Sequence, residues 1–274
     1  MPELPEVEIA AREVRRSCRG KTIRSVDVQD ARILGEQDEA TFVDALTDAR
    51  VTEVGRHGKH IVATLMSDDL WWVHMGMSGK LIWKPRGEDD APHTRVAFRF
   101  DDGTLCFRDP RIFGRTAAGA PDVVRTLGHL SELGPDAWTS IGSPQALIDA
   151  LGESKRPIKV ALMDQASVAG LGNIQAAEAL FRAGIHPKTA VPSLKRGAFV
   201  RLYAAIRESI EHTLAATEPE DGKEVEYMSD GVHAANPFLV YGRAGEACGT
   251  CATKIQTTKQ NGRKTFFCPK CQPE

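Results

Sequence analysis

The amino-acid sequence predicts a multidomain α+β protein, with a β-sandwich or barrel-like sheet and flanking helices, then a helical part, then a small cysteine-rich unit. Three observations support this prediction. Short β-branched or aromatic segments, separated by Gly, Asp and Pro, recur through residues 1–130. Residues 131–240 instead carry apolar residues at helical spacing. Residues 241–274 hold four of the six cysteines. At 274 residues the chain is long enough for such a division.

The first element is predicted to be a helix that ends near Gly20. Pro5 suits a first helical position, because the N–H that it lacks would have no partner there. Glu6 and Glu8 place negative charge at the positive end of the helix dipole. An apolar stripe follows at helical spacing: Val7, Ala10, Ala11 and Val14.

The sheet is predicted from seven short segments bounded by turn residues. These segments are Ile23–Val28, Val51–Arg56, His60–Leu65, Leu70–His74, Leu81–Lys84, Arg95–Phe100 and Thr104–Arg108. One predicted helix, Thr41–Ala49, lies between them. Many short strands at this spacing are typical of a sandwich or a barrel, and we expect this domain to end near residue 130.

The second domain is predicted to be helical because good helix formers recur at helical spacing. The predicted helices are Pro144–Leu151, Arg156–Gln165, Ile174–Ala183 and Leu194–Ala216. The polar stretch Thr217–Asn236 has no clear periodicity, and a loop of that length is usually functional or disordered.

A glycine-containing turn joins the second and third of these helices. Gly170 and Gly172 permit backbone angles and close approaches that other residues do not. Asn173 suits the N-cap position of the following helix, whose first amides can hold a phosphate. The alternative is an ordinary helix hairpin.

The last unit is predicted to bind zinc. Cys248, Cys251, Cys268 and Cys271 form two Cys-x2-Cys pairs with sixteen residues between them, which is the spacing of a tetrahedral four-thiolate zinc site. Asn261-Gly262 between two strand-like runs predicts a hairpin, so the unit is a zinc ribbon with one structural ion. The alternative is two unrelated redox pairs.

Charge is unevenly distributed along the chain. The formal net charge is −2, which argues against nucleic acid, but the end from Tyr241 carries six basic and two acidic residues. A basic end suits a localised anionic partner. Arg263 follows the hairpin tip, where its guanidinium can grip phosphate or simply be solvated.

Compartment and thiol state follow from other features. No apolar run reaches the roughly 18 residues of a membrane span, and no signal peptide is evident. We expect a cytoplasmic protein that has no membrane partner and acts as a monomer. Cys18 and Cys106 lie among apolar neighbours and are expected to be buried thiols.

The first residues carry a candidate for covalent catalysis. Removal of Met1 would leave Pro2 with a free secondary amine, whose pKa near 7.7–8.0 leaves a useful unprotonated fraction at neutral pH. Such an amine can attack a carbonyl-like carbon and form an iminium. Glu3 places a carboxylate beside it for general acid–base chemistry. Taken alone, the segment is better explained as a proline-rich helix start.

Seven motifs in order resemble the formamidopyrimidine-DNA glycosylase family, which also includes endonuclease VIII. They are PELPEVE at the start, GRHGKHIV around Lys59, HMGMSG at His74–Gly79, DPRIFG at Asp109–Gly114, GLGNIQAAEALFRAGIHP at Gly170–Pro187, VYGR at Val240–Arg243 and the four-cysteine tail. The resemblance is nearly end to end. It implies an N-terminal β-sandwich, a helical helix–two-turn–helix DNA-binding domain and a zinc finger.

The resemblance also implies an activity and roles for particular residues. We expect a bifunctional DNA glycosylase and AP lyase of base excision repair, acting on double-stranded DNA with a damaged base or abasic site. Pro2 would attack C1′, Glu3 would protonate or relay to the sugar, Lys59 would assist at the sugar-phosphate, and Arg263 would grip phosphate. The residues expected to contact DNA or fill the gap of the extruded base are Met77, His93, Arg111, Phe113 and Asn173.

The chain departs from the family in two places. Residues 218–236 lack the usual Gly-Gly-Thr-Thr and Gly-Tyr-Phe elements of the lesion-contacting loop, and Gln175 stands where Tyr is common. The leading hypothesis is removal of oxidised purines. One alternative is an endonuclease VIII-like preference for oxidised pyrimidines. Another is a zinc-ribbon protein that binds damaged DNA without catalysis, against which the intact Pro2, Glu3 and Lys59 argue.

Overall fold

The computed structural model describes residues 2–152, 154–217 and 236–274. It divides into two compact units. The first, here called the sandwich unit, is built mainly from residues 6–131. The second, here called the helical unit, contains 3–5, 132–216 and 236–274. The polar stretch 218–236, apart from Asn236, lies outside the described residues, and the predicted three-domain boundaries stay a prediction.

Helices and strands follow the predicted order. The described helices are α1 Leu4–Cys18, α2 Glu39–Leu46, α3 Pro121–Leu127, α4 Pro144–Leu151, α5 Ile158–Leu162, α6 Asn173–Ala183 and α7 Arg196–Thr217. The described strands are β1 Ser25–Val28, β2 Val51–His57, β3 His60–Leu65, β4 Leu70–His74, β5 Lys80–Pro85, β6 Thr94–Phe100, β7 Gly103–Arg108, β8 Arg115–Gly119, β9 Gln256–Gln260 and β10 Arg263–Phe267. None of the described helices is long and apolar enough to cross a membrane.

Two four-stranded antiparallel sheets form the sandwich unit. Their strand orders are β1-β6-β7-β5 and β2-β3-β4-β8. Trp71 from one sheet and Phe98 from the other are both buried, with ring centroids 4.4 Å apart. The core between the sheets also takes the apolar faces of α1 and α2. The sandwich prediction is therefore confirmed. Cys18 and Cys106 are buried in this unit, as expected.

Sequence periodicity missed two elements of the sandwich unit. Strand β8 pairs with β4 and completes the second sheet. Its sequence, RTAAG, has few β-branched residues, so tertiary pairing rather than propensity makes it a strand. Helix α3 begins with Pro121 and spans only seven residues, too few for a clear period.

Two helices begin or end at residues other than those predicted, because capping and turn residues set their limits. Asp38 accepts a hydrogen bond from the Thr41 amide, so α2 begins at Glu39 rather than at Thr41. The predicted helix Arg156–Gln165 is shorter, Ile158–Leu162. It begins only after Pro157, and beyond its end Asp164 accepts from the Ala166 amide in a turn.

The zinc ribbon packs against helix α6 within the helical unit. Phe181 of α6, Val240 and Ile255 are buried together with Cys248 and Cys268. Strands β9 and β10 form the predicted hairpin, and Asn261 and Gly262 both have positive φ, as a type I′ turn requires.

Candidate catalytic and nucleic-acid-binding site

Glu3 is buried at the start of helix α6. Its carboxylate accepts hydrogen bonds from the amides of Gly172 at 3.0 Å, Ile174 at 2.9 Å and Gln175 at 2.9 Å. The first amides of a helix have no partner within the helix, so a carboxylate from elsewhere in the chain caps them. Pro2, also buried, is covalently attached to this fixed residue.

This arrangement corrects two predictions about the glycine turn. The residue at the N-cap position is Gly172, not Asn173, and it makes no side-chain cap. The amides of Ile174 and Gln175 are occupied by Glu3, so they are not donors for a phosphate. The capping group is 169 to 172 residues away in sequence, and no local signal could have identified it.

The two glycines of the turn allow the N-terminal segment to approach. A β-carbon at position 172 would lie 2.3 Å from the Glu3 carboxyl carbon. Gly170 has a φ of +106°, and a β-carbon there would lie 2.6 Å from a methyl group of Leu4. The Leu4 amide donates to the Gly170 carbonyl at 3.1 Å. Glu3 and Leu4 therefore pack directly against the backbone of this turn.

Asn173 links three segments of the helical unit. Its Oδ1 accepts from the Lys159 ammonium at 2.6 Å, and its Nδ2 donates to the Lys264 carbonyl at 3.0 Å. Asn173 therefore connects α5 and α6 to strand β10. Its predicted contact with DNA stays a prediction.

Lys159 is a polar residue of this region that sequence analysis missed. Its side chain is buried. Burial lowers the pKa of Lys159 to about 8, with Glu3 raising it and Arg263 lowering it. A lysine inside the apolar run IKVAL was the available signal.

Glu178 on α6 also escaped sequence analysis. It is buried, and its carboxylate accepts from the amides of Leu239, Val240 and Tyr241, each at 2.9 Å. Residues 239–241, which follow the 218–235 stretch, are therefore hydrogen-bonded to α6. His212 of α7 adds a contact of 3.0 Å between its Nε2 and the Pro237 carbonyl oxygen.

Lys59 occupies the tip of the β2–β3 hairpin in the sandwich unit. His57 pairs with His60, which leaves Gly58 and Lys59 as a two-residue turn, and Gly58 has a φ of +57°. The buried Arg56 donates to the Gly58 carbonyl at 2.8 Å and pairs with Glu8 at 3.0 Å. The turn is thus held to α1, and Lys59 is only 6% exposed although it lies at a hairpin tip.

Two neutral histidines lie next to this hairpin. Trp72 donates from Nε1 to His60 Nδ1 at 2.9 Å, and the ring centroids of His60 and His74 are 4.9 Å apart. Burial and the positive field of His74, His57 and Lys59 lower the pKa of His60 to about 3. Burial, together with Lys59 and Arg115, lowers the pKa of His74 to about 4. Both rings are therefore uncharged at neutral pH.

The three residues predicted to fill an extruded base's place lie on exposed loop positions. Met77 is 45% exposed and Phe113 is 46% exposed, which excludes the alternative that they are core residues. The Arg111 guanidinium lies 4.6 Å from the centroid of the Phe113 ring. The two loops meet at Gly76, where a β-carbon would lie 2.4 Å from the Phe113 carbonyl.

His93 lies next to the same loops. It is exposed, with a φ of +65°, and its carbonyl accepts from the Asp109 amide at 3.1 Å. The sandwich unit therefore gathers Met77, His93, Arg111 and Phe113 around the segment that begins at Asp109.

The four ribbon cysteines have the geometry of a zinc site. Their sulfur atoms all lie within 4.8 Å of one another, with Cys248 and Cys271 3.9 Å apart and Cys251 and Cys268 3.4 Å apart. Tetrahedral thiolates about 2.3 Å from zinc are separated by roughly 3.8 Å. The ligand set thus fits one structural zinc ion. Arg263, paired with Gln260 across the hairpin, is exposed at the start of β10.

Comparison with known proteins agrees with these features. Family models match residues 1–116 as a formamidopyrimidine-DNA glycosylase N-terminal domain, 133–221 as its H2TH domain and 245–273 as a zinc finger found in FPG and IleRS. A formamidopyrimidine-DNA glycosylase of a Synechococcus species is 37% identical, and the match covers 100% of this chain and 99% of the relative.

Solved structures of Lactococcus lactis Fpg are similar over the whole chain. One is a complex with N7-benzyl-Fapy-dG-containing DNA and another is a complex with DNA containing an oxidised pyrimidine. Each has a TM-score of 0.85 and 28% identity, and each match covers 100% of both chains.

Proposed function

The chain belongs to the formamidopyrimidine-DNA glycosylase family, and from that membership we propose that it excises oxidised purines, including 8-oxoguanine and formamidopyrimidines, and then cleaves the strand. Members of this family are base excision repair glycosylases with AP lyase activity. The observation that carries the proposal is the Pro2–Glu3 pair. A nucleophile candidate is joined to a carboxylate that three amides hold in place.

The chemistry begins at the sugar. After removal of Met1, the Pro2 nitrogen attacks C1′ and the damaged base departs with the electrons of the glycosidic bond, taking up a proton. The nitrogen, which is an ammonium after the attack, gives up its proton, and this proton balances the one that the departing base takes up. The lone pair that it regains opens the C1′–O4′ bond to form an iminium, and Glu3 delivers the proton that O4′ needs. The secondary amine makes the iminium cationic without a further proton.

Strand cleavage follows from the same iminium. Loss of a proton from C2′ sends electrons into the C=N⁺ group and expels the 3′ phosphate. Loss of the next acidic proton expels the 5′ phosphate. Lys59 assists at the sugar-phosphate, and Arg263 grips phosphate during the later elimination, because a guanidinium binds two oxygens at once.

Base extrusion precedes this chemistry. Removing a base from the stack costs a few kcal/mol, which an inserted side chain partly offsets. Met77, Arg111 and Phe113 supply that insertion, whereas His93 and Asn173 contact the DNA backbone. The enzyme works on chromosomal DNA, which places it at the nucleoid of a bacterial cell.

Reductive trapping tests the nucleophile. Borohydride adds hydride to an iminium, so it should fix the protein covalently to DNA with an abasic site. A variant with one extra residue before Pro2 has an amide nitrogen there and should not be trapped. Equal trapping of the two proteins would show that another amine, such as Lys59, forms the bond. Absence of trapping in both would favour the non-catalytic alternative.

Lesion preference needs a separate experiment. The altered 218–236 sequence and Gln175 favour keeping oxidised pyrimidines as the second candidate. Single-turnover rates on matched duplexes with 8-oxoguanine, a formamidopyrimidine, an oxidised pyrimidine or no lesion decide it. Faster excision of the purine lesions supports the proposal, and faster excision of the pyrimidine lesion replaces it with the endonuclease VIII-like alternative.

A further inference from the structure

Asp109 connects the two loops that carry the exposed residues of the sandwich unit. It follows β7 and has no exposed surface. Its Oδ1 accepts from the Ser78 hydroxyl at 2.5 Å and from the Arg111 amide at 3.2 Å, and its Oδ2 accepts from the Gly114 amide at 2.7 Å. One buried carboxylate thus holds both the loop after β4 and the loop before β8.

The backbone of Asp109 holds a third segment. Its amide donates to the His93 carbonyl at 3.1 Å, and its carbonyl accepts from Arg95 Nε at 2.8 Å. Each of the four residues that these three segments are proposed to offer to DNA is therefore bonded to Asp109 or adjacent to a residue that is. The set comprises Met77, His93, Arg111 and Phe113.

The loop that Asp109 brackets is strained. Ile112 has a φ of +56°, a conformation that is unfavourable for a β-branched residue. Its side chain packs against the sandwich core, and the hydrogen bonds from Arg111 and Gly114 to Asp109 lie on either side of it. A strained backbone conformation persists only where the surrounding contacts hold it in place. In this loop, Arg111 and Phe113 on either side of Ile112 are exposed.

We propose that Asp109 is a positioning residue that makes Met77 and the Arg111–Phe113 pair act as one wedge during base extrusion. The inference rests on the proposed glycosylase function. Asp109 has no exposed surface with which to contact substrate, so it acts through the loops. Loss of its carboxylate frees the loop before β8 from Ser78, so Arg111 and Phe113 no longer enter the stack together with Met77.

The test compares base excision that needs extrusion with cleavage that does not. Asp109→Asn keeps the size of the side chain but replaces one carboxylate oxygen by an NH2 group, which cannot accept a hydrogen bond from Ser78, Arg111 or Gly114. Single-turnover excision from a paired lesion duplex should fall roughly ten- to a hundredfold. Cleavage at an abasic site in single-stranded DNA should stay within about twofold, since no base must leave a stack. Ser78→Ala removes one of the three hydrogen bonds and should change the same ratio in the same direction, by roughly three- to tenfold.

Coupling between the loops gives an independent measurement. If the loops act as one wedge, Met77→Ala should slow duplex excision strongly in the wild type and little further in Asp109→Asn. Additive losses, equal losses on both substrates, or unchanged duplex excision in both variants would overturn the proposal. If Asp109→Asn does not fold, judged by its thermal transition, the same measurements on Ser78→Ala decide. Failure of the wild-type protein to be trapped at an abasic site would instead refute the underlying function.

Discussion

Gly172 and Glu3 lie so close together that a β-carbon at position 172 would be 2.3 Å from the Glu3 carboxyl carbon. The residue is a glycine because no side chain fits between the helix start and the carboxylate that caps it. The contact lets one carboxyl group serve two purposes. The Glu3 carboxylate completes the hydrogen bonding at the start of α6. The same hydrogen bonds fix the position of Glu3, the residue that follows Pro2 in the chain.

We therefore expect Gly172→Ala to displace Glu3 and impair catalysis. A misplacement of about 1 Å at a catalytic group can lower the rate about a hundredfold, and we expect a loss of at least that size in single-turnover excision. Gly142→Ala is the matched control, since a β-carbon there meets nothing within 4 Å. Undiminished activity in Gly172→Ala would show that the position of Glu3 is not required.

Acid should destabilise the sandwich unit through two half-buried histidines. The pKa values of His60 and His74 fall from 6.5 to about 3 and about 4 on folding. Their neutral rings contribute stability above pH 6.5, which is lost as the pH falls towards those folded values, because only the unfolded chain takes up protons there. Two such groups make the free energy of unfolding fall by up to about 2.7 kcal/mol per pH unit.

Denaturant titrations between pH 5.0 and 6.5 measure that slope. His74→Asn keeps an acceptor near the Gly76 amide and should remove about half of that slope. An unchanged slope in His74→Asn would mean that the ring already binds its proton in the folded protein.

The zinc site should be needed for DNA affinity. Elemental analysis should find one zinc per chain, and Cys248→Ser or Cys271→Ser should lose it. Because the hairpin that carries Arg263 then loses its order, affinity for abasic-site DNA should fall at least about tenfold at physiological salt. Cys106→Ser, which alters a buried thiol outside the ribbon, should keep the metal. Full affinity for abasic-site DNA in a zinc-free variant would show that DNA binding does not require the folded ribbon.

Asn173 and Met77 should differ in which DNA they affect. Asn173→Ala breaks the link between Lys159 and the Lys264 carbonyl, so it should weaken binding to lesion-containing and undamaged duplex alike.

Met77→Ala should slow duplex excision roughly ten- to a hundredfold yet spare cleavage at an abasic site in single-stranded DNA. Equal losses on the two substrates would make Met77 a structural residue despite its exposure.

Sequence periodicity predicted most elements of the fold, and failed where partners distant in sequence decide. The strand His60–Leu65 and the helix Pro144–Leu151 have the predicted limits because local pattern and packing agree. Strand β8 was missed because its alanines favour a strand only when β4 lies beside them. The zinc ligands, in contrast to β8, were predicted correctly, because each Cys-x2-Cys pair is a local pattern.

The candidate site shows the same limit more sharply. The sequence indicated Pro2, Glu3 and the loop residues through their motifs, but not what holds them. Glu3 as the cap of α6 and Asp109 between the loops depend on contacts with residues 169 and 31 positions away in the chain. Such contacts leave no period or spacing in the sequence.

The fastening of residues 239–241 to Glu178 has an evolutionary consequence. We expect the chain to depart from its family in 218–236, and residues that follow 218–235 are tied to two helices, Leu239–Tyr241 through Glu178 of α6 and Pro237 through His212 of α7. Substitutions in 218–235 leave these hydrogen bonds in place, because all of their donors and acceptors lie outside that stretch. The family resemblance implies lesion contact for this stretch, so we expect selection to alter substrate range there while the catalytic residues stay unchanged.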